Sequence, residues 1–145
     1  REAIAVRLHL FRLGLGMRFG LVPWFAVFVC RPAHLPQETL HRLRVGAALL
    51  TKSGKVYTGV NVENASYGLT ICAERVAITK AVSEGHRQFK AIAVVAPSAN
   101  LSPCGACRQV LAEFGEMVVV CADSRNPRKI RLHLLSELLP HAFKL

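Results

Sequence analysis

A chain of 145 residues, 52% hydrophobic and 19% charged, is sized for one domain with a real core. Five cysteines do not read as a secreted disulfide framework: three have metal-ligand spacing, while Cys30 and Cys121 lie in apolar surroundings, so a reducing, cytoplasmic setting is expected. The formal charge of +10 raises nucleic-acid binding, but half of the excess sits in residues 1–44 (seven arginines against Glu2 and Glu38), and the remaining basic run Arg125, Arg128, Lys129 and Arg131 has no aromatic stacking platform, which argues against a polynucleotide partner.

The first forty residues differ in character from the rest of the chain. The chain opens on Arg1 rather than Met, which suggests a fragment. Residues 21–30 form an apolar run interrupted by Pro23, too short to span a bilayer, and no membrane partner is expected. Arginines with few acids are the pattern of a mitochondrial transit peptide, yet no serine precedes Ser53. A disordered tail, or a translated stretch foreign to the domain, ranks ahead of targeting. The predicted division is a divergent basic and apolar segment at 1–40 and a domain at 41–145.

Within that domain, residues 45–51 and 55–61 read as strands flanking Lys52-Ser53-Gly54, a hairpin signal. Residues 71–84 read as a helix with an apolar stripe of Val76, Ala77, Ala81 and Val82, ended by Gly85. The continuous apolar run at 91–96 is a buried strand. Residues 104–114 form a second helix with Cys107, Val110, Leu111 and Phe114 on one face, closed by Gly115. Residues 117–122 and 129–133 supply further strands, and 136–139 a short last helix stopped at Pro140. Strands alternating with helices predict an α/β layered fold on a mixed sheet.

Chemistry concentrates in Cys72-Ala73-Glu74 and Pro103-Cys104-Gly105-Ala106-Cys107. Three thiols can close on one zinc. A purely structural zinc takes four protein ligands, so three leave a corner for water, and a nearby non-ligating Glu can move that water's protons. Cys104 and Cys107 alone would also suit a structural zinc or a redox pair, and Cys72 alone a buried core thiol. Cys-x-Glu joined to Pro-Cys-x-x-Cys is narrower, and matches the zinc deaminase signature with Cys in place of the first His. All three cysteines fall near predicted helix starts, where unpaired N–H groups stabilise thiolates. The six histidines follow no metal spacing.

From residue 45 to 143 the chain resembles the cytidine deaminases, small homotetrameric zinc enzymes of pyrimidine salvage. The matching residues are Val45-Gly-Ala-Ala-Leu-Leu, Gly59-Val-Asn-Val-Glu-Asn-Ala-Ser-Tyr, Thr70-Ile-Cys-Ala-Glu-Arg, Ser102-Pro-Cys-Gly-Ala-Cys-Arg-Gln-Val and Glu137-Leu-Leu-Pro, in order. The resemblance implies a three-layer α/β/α cytidine deaminase-like fold with a mixed central sheet. It implies one Zn²⁺ per subunit on Cys72, Cys104 and Cys107, with Glu74 as proton shuttle. It further implies that Arg75 donates to ligand sulfurs, that Asn61 and Glu63 grip the ribose hydroxyls, and that the N–H of Ala73 meets the pyrimidine carbonyl. By the same resemblance Ala65 and Tyr67 approach the sugar from a neighbouring subunit, and Phe143 stacks on the base across an interface. The implied reaction is hydrolysis of cytidine and 2′-deoxycytidine to the uridines, in an active site shared between subunits of a homotetramer. The chain departs from the family at Leu43, where the family carries Phe, and in residues 1–40, which lack a counterpart of its first helix. Two rival readings are a blasticidin-S deaminase-like enzyme and a non-catalytic zinc-binding protein whose divergent start prevents assembly.

Overall fold

The computed structural model describes residues 43–143. The expected division at residue 40, the apolar run at 21–30 and Cys30 lie outside the described residues. One mixed sheet contains β1 (Gly46–Thr51), β2 (Val56–Val60), β3 (Phe89–Ala96), β4 (Val118–Asp123) and β5 (Asn126–Leu134), in the spatial order β2-β1-β3-β4-β5. The helices are α1 (Ala73–Ser83), α2 (Gly105–Ala112) and α3 (Leu135–Leu138), preceded by a 3-10 turn at Tyr67–Leu69. Among the described residues no helix is long and apolar enough to cross a membrane.

The three central strands are buried along nearly their whole length, which is why they read as unbroken apolar runs. Edge strand β2 alternates instead, burying Tyr57 and Gly59. On one face of the sheet, Ala47, Leu49, Ile92, Val94 and Val119 pack with Ala77, Ile78 and Ala81 of α1, Leu111 of α2 and Leu135 of α3. The other face carries a second apolar cluster centred on Ala48, Ala93, Val118 and Val120. Gly85 and Gly115, both at φ +86°, follow α1 and α2 as expected of left-handed helix stops.

The structure shifts several expected boundaries. Helix α1 starts at Ala73 with Cys72 as its extended N-cap, and α2 starts at Gly105 with Cys104 in the same role. Phe114 lies beyond α2, edge-on to Phe89 at 5.3 Å between ring centres. Strand β5 begins at Asn126, because its ladder with β4 continues past the apolar residues that marked it in the sequence. The buried stripe of α1 is Ala73, Glu74, Ala77, Ile78 and Ala81, with Val82 at its margin. Ile78 thus takes the central place expected of Val76, because the helix lies across both β1 and β2 and turns Val76 towards Gly59.

Topology decides where the cysteines go. Strands β2 and β3 each pair antiparallel with β1, so they run parallel to one another, and β3 is parallel to β4. Helices α1 and α2 are therefore successive crossovers, each leaving the carboxyl end of a strand. Both helix N-termini emerge at the same edge of the sheet, the usual place for a site in such folds.

Candidate active site

The Sγ atoms of Cys72, Cys104 and Cys107 all lie within 4.8 Å of one another. Cys72 Sγ and Cys104 Sγ are 3.8 Å apart. A tetrahedral zinc with bonds of ~2.3 Å requires sulfur–sulfur edges of about 3.8 Å, so the donors fit this ion. Their electrostatics agree. Burial pushes the Cys72 thiol up, against a lowering hydrogen bond from Arg75. Burial also raises Cys107, and the Glu74 and Cys72 charges add to the rise. At Cys104 burial acts upward too, but the Cys107 N–H and the two neighbouring thiols outweigh it, and the net is lowered. Three thiols so close cannot all ionise unaided; a divalent cation supplies the charge that lets them.

Glu74 is only 4% exposed, two positions after the first of these thiols on α1. Burial holds its carboxyl above the usual carboxylate range, opposed by its own backbone N–H, the Cys107 thiol and the Arg75 charge. Arg75 donates from Nη2 to the Thr70 carbonyl at 2.8 Å and approaches Cys72 Sγ at 3.9 Å. The thiol is the main cause of the guanidinium's raised pKa. Ala73 is fully buried at the first turn of the helix.

Asn61 and Glu63 also come together, Nδ2 donating to Oε1 at 2.7 Å. The same amide donates to the Leu43 carbonyl at 3.0 Å, and its Oδ1 accepts the Val45 N–H at 2.8 Å. Asn61 thereby ties the approach to β1 to the residues after β2. Both its amide protons are engaged, which leaves the carboxylate of Glu63 with the greater free accepting capacity. Ala65, Tyr67 and Phe143, by contrast, are exposed on this single chain, Tyr67 at 58% and Phe143 at 68%. The basic run is partly spent internally: Arg125 pairs with Asp123 at 3.0 Å, and Arg131 donates to the Leu101 carbonyl.

Three residues that sequence reasoning left without a role support the site. Gly59 lets α1 approach β2 so closely that a Cβ there would lie 2.3 Å from the Ala73 carbonyl oxygen. Arg108 donates to the Pro103 carbonyl at 2.7 Å, the Leu138 carbonyl at 2.9 Å and Ser102 Oγ at 3.0 Å, bracing the loop before Cys104. Gln109 bonds the backbone of Phe143. Arg108 and Gln109 stand directly after Cys107, and that adjacency was the available signal; their partners lie in the loop before Cys104, at the end of α3 and in the tail, and no periodicity encodes those meetings.

Similarity to known proteins points the same way. A profile described as the cytidine and deoxycytidylate deaminase zinc-binding region matches residues 27–123. The chain is 54% identical over 114 residues to a probable cytidine deaminase of Dictyostelium discoideum, covering 77% of this chain and 74% of that one. It is 32% identical over 105 residues to the blasticidin-S deaminase of Bacillus cereus, covering 66% and 74%. Among solved structures, cytidine deaminase from Burkholderia pseudomallei superposes with a TM-score of 0.76 at 42% identity, covering 88% of this chain and all of that one. The three-thiol cluster and its buried carboxylate therefore sit in a member of the zinc-binding cytidine and deoxycytidylate deaminase family.

Proposed function

We propose that the chain catalyses the hydrolytic deamination of cytidine and 2′-deoxycytidine to uridine and 2′-deoxyuridine, with release of ammonia. The observation that carries this reading is the buried Glu74 carboxylate beside three converging thiols. Cys72, Cys104 and Cys107 would hold one zinc ion, whose Lewis acidity makes water nucleophilic near neutral pH. Glu74 accepts a proton from the attacking water and passes it to N3 of the pyrimidine as C4 is attacked. It then carries the second proton to the departing amine. Burial favours its protonated form, which lets it hand on the proton it accepts. Arg75 draws negative charge off the Cys72 sulfur. Glu63, oriented by Asn61, accepts from the ribose hydroxyls, and the Ala73 N–H meets the pyrimidine carbonyl.

The exposed apolar side chains Val62, Leu69 and Ile71 in the β2–α1 connection, together with Phe143 in the tail, support a homotetramer in which Ala65, Tyr67 and Phe143 complete a neighbour's site. Reduced thiols and this substrate class support a cytoplasmic role in pyrimidine salvage. The greater identity to the Dictyostelium relative favours cytidine over blasticidin S. Absorbance assays on the purified, zinc-loaded chain with cytidine, 2′-deoxycytidine and blasticidin S test the reading, alongside a mass measurement. Turnover of both nucleosides by a tetramer is expected. A zinc-loaded protein that turns over neither overturns it in favour of a non-catalytic zinc protein.

A further inference from the structure

Three consecutive residues of α2 do three different jobs. At about 100° per residue, Cys107, Arg108 and Gln109 point in separate directions from one turn of helix. Cys107 is fully buried in the thiol cluster. Arg108 holds the carbonyl of Leu138, the last residue of α3. Gln109 reaches the tail: Nε2 donates to the Phe143 carbonyl at 2.8 Å, and Oε1 accepts the Phe143 N–H at 3.3 Å.

A carboxamide presents one donor side and one acceptor side, as a peptide group does, so it can pair with both backbone groups of a single residue. Two such bonds fix the position and the orientation of that residue's backbone. The Phe143 ring, 68% exposed on the single chain, is not located by burial within its own subunit. Pro140 cannot continue α3 as a helix towards the tail. Among the described residues the hold on Phe143 is therefore the carboxamide of Gln109, with Arg108 bracing Leu138 five residues earlier along the tail.

We infer that Gln109 is a positioning residue for substrate affinity: it clasps Phe143 by its backbone and so sets where the tail aromatic ring is presented to a nucleobase. The inference rests on the cytidine deaminase reading of the site and on the role proposed there for Phe143, stacking on a base in a neighbouring subunit. Because the clasp acts on a binding contact and leaves Glu74 untouched, its loss raises KM and spares kcat.

The test uses the full-length zinc-loaded protein with Gln109→Leu, Gln109→Glu, Phe143→Ala and the Gln109→Leu/Phe143→Ala double variant. Gln109→Leu removes two partly solvated hydrogen bonds, which corresponds to a rise in KM of about fivefold to twentyfold with kcat within about twofold. Gln109→Glu keeps the acceptor for the Phe143 N–H and should fall between wild type and Gln109→Leu. In the Phe143→Ala background, Gln109→Leu should change KM no further. Amide hydrogen exchange at Phe143 gives a readout independent of turnover, and protection there should be lost in Gln109→Leu. An unchanged KM, an equal fall in kcat, or the full Gln109→Leu effect persisting without the Phe143 ring overturns the inference. An inactive wild type instead refutes the reading of function and the kinetic half of this inference with it, while exchange at Phe143 still decides whether the clasp exists.

Discussion

Gly59→Ala should damage both the fold and the chemistry, although it lies on an edge strand and adds a single methyl group. That methyl would sit 2.3 Å from the Ala73 carbonyl oxygen, 2.6 Å from the Ala77 nitrogen and 3.0 Å from Val76 Cβ. Two of these are backbone atoms and cannot rotate away, so α1 must retreat by about 1 Å to restore ordinary contact. Glycine-to-alanine changes at unstrained sites stabilise by about 0.4–1 kcal/mol through the unfolded chain. Overpacking costs about 1–3 kcal/mol, so the clash wins. The unfolding midpoint should fall by roughly 5–15 °C. Ala73 and Glu74 lie on the displaced turn, and a shift of about 1 Å in a catalytic group can cost about a hundredfold in rate. Thermal unfolding by circular dichroism, zinc content and kcat/KM for cytidine on the same preparation measure all three effects. A Gly59→Ala protein that melts and turns over like wild type would refute the account of how α1 is seated.

Glu74→Gln keeps the shape of the side chain and removes its proton-accepting capacity, so kcat should drop by about 10²–10⁴-fold while bound zinc, measured by atomic absorption, is unchanged. Stripping the metal with a chelator should lower the unfolding midpoint, and zinc should restore it where magnesium does not, because three thiolates are poor ligands for a hard cation. At the far end of α1, the Tyr57 hydroxyl donates to Glu84 at 2.7 Å and, with Lys55, holds that carboxyl below the usual range. A lowered folded-state pKa contributes stability above the unfolded value of roughly 4.3 and loses it as pH falls through the folded one. Tyr57→Phe should therefore raise the Glu84 pKa in a carboxyl NMR titration; an unmoved titration would show that Lys55 alone suffices.

The local elements were legible because their causes are local. Residues 91–96 and 117–122 announced buried strands by unbroken apolar runs, and the glycines at 85 and 115 announced helix ends because few other residues accept a positive φ. The thiol cluster and its neighbouring carboxylate were legible for a different reason. Cys104 and Cys107 share one helix start, so their spacing alone brings them together, and Cys72 with Glu74 repeats that arrangement at the start of α1. The stripe of α1 was misread at Val76, because periodicity gives the angular spacing of apolar residues and packing against two strands selects the direction.

What only the folded chain decided is which distant pieces meet. The sequence holds Cys72 and Cys104 thirty-two positions apart, and their 3.8 Å approach exists because two successive crossovers leave the same edge of the sheet. The close passage of Ala73 over Gly59, the bracing of Arg108 against Leu138 and the clasp of Gln109 on Phe143 left no periodic trace. Residue types and short spacings carry the chemistry of this protein, since a thiolate or a carboxylate reacts by its own nature. The placement of those groups against one another depends on long-range packing, which a linear pattern does not encode.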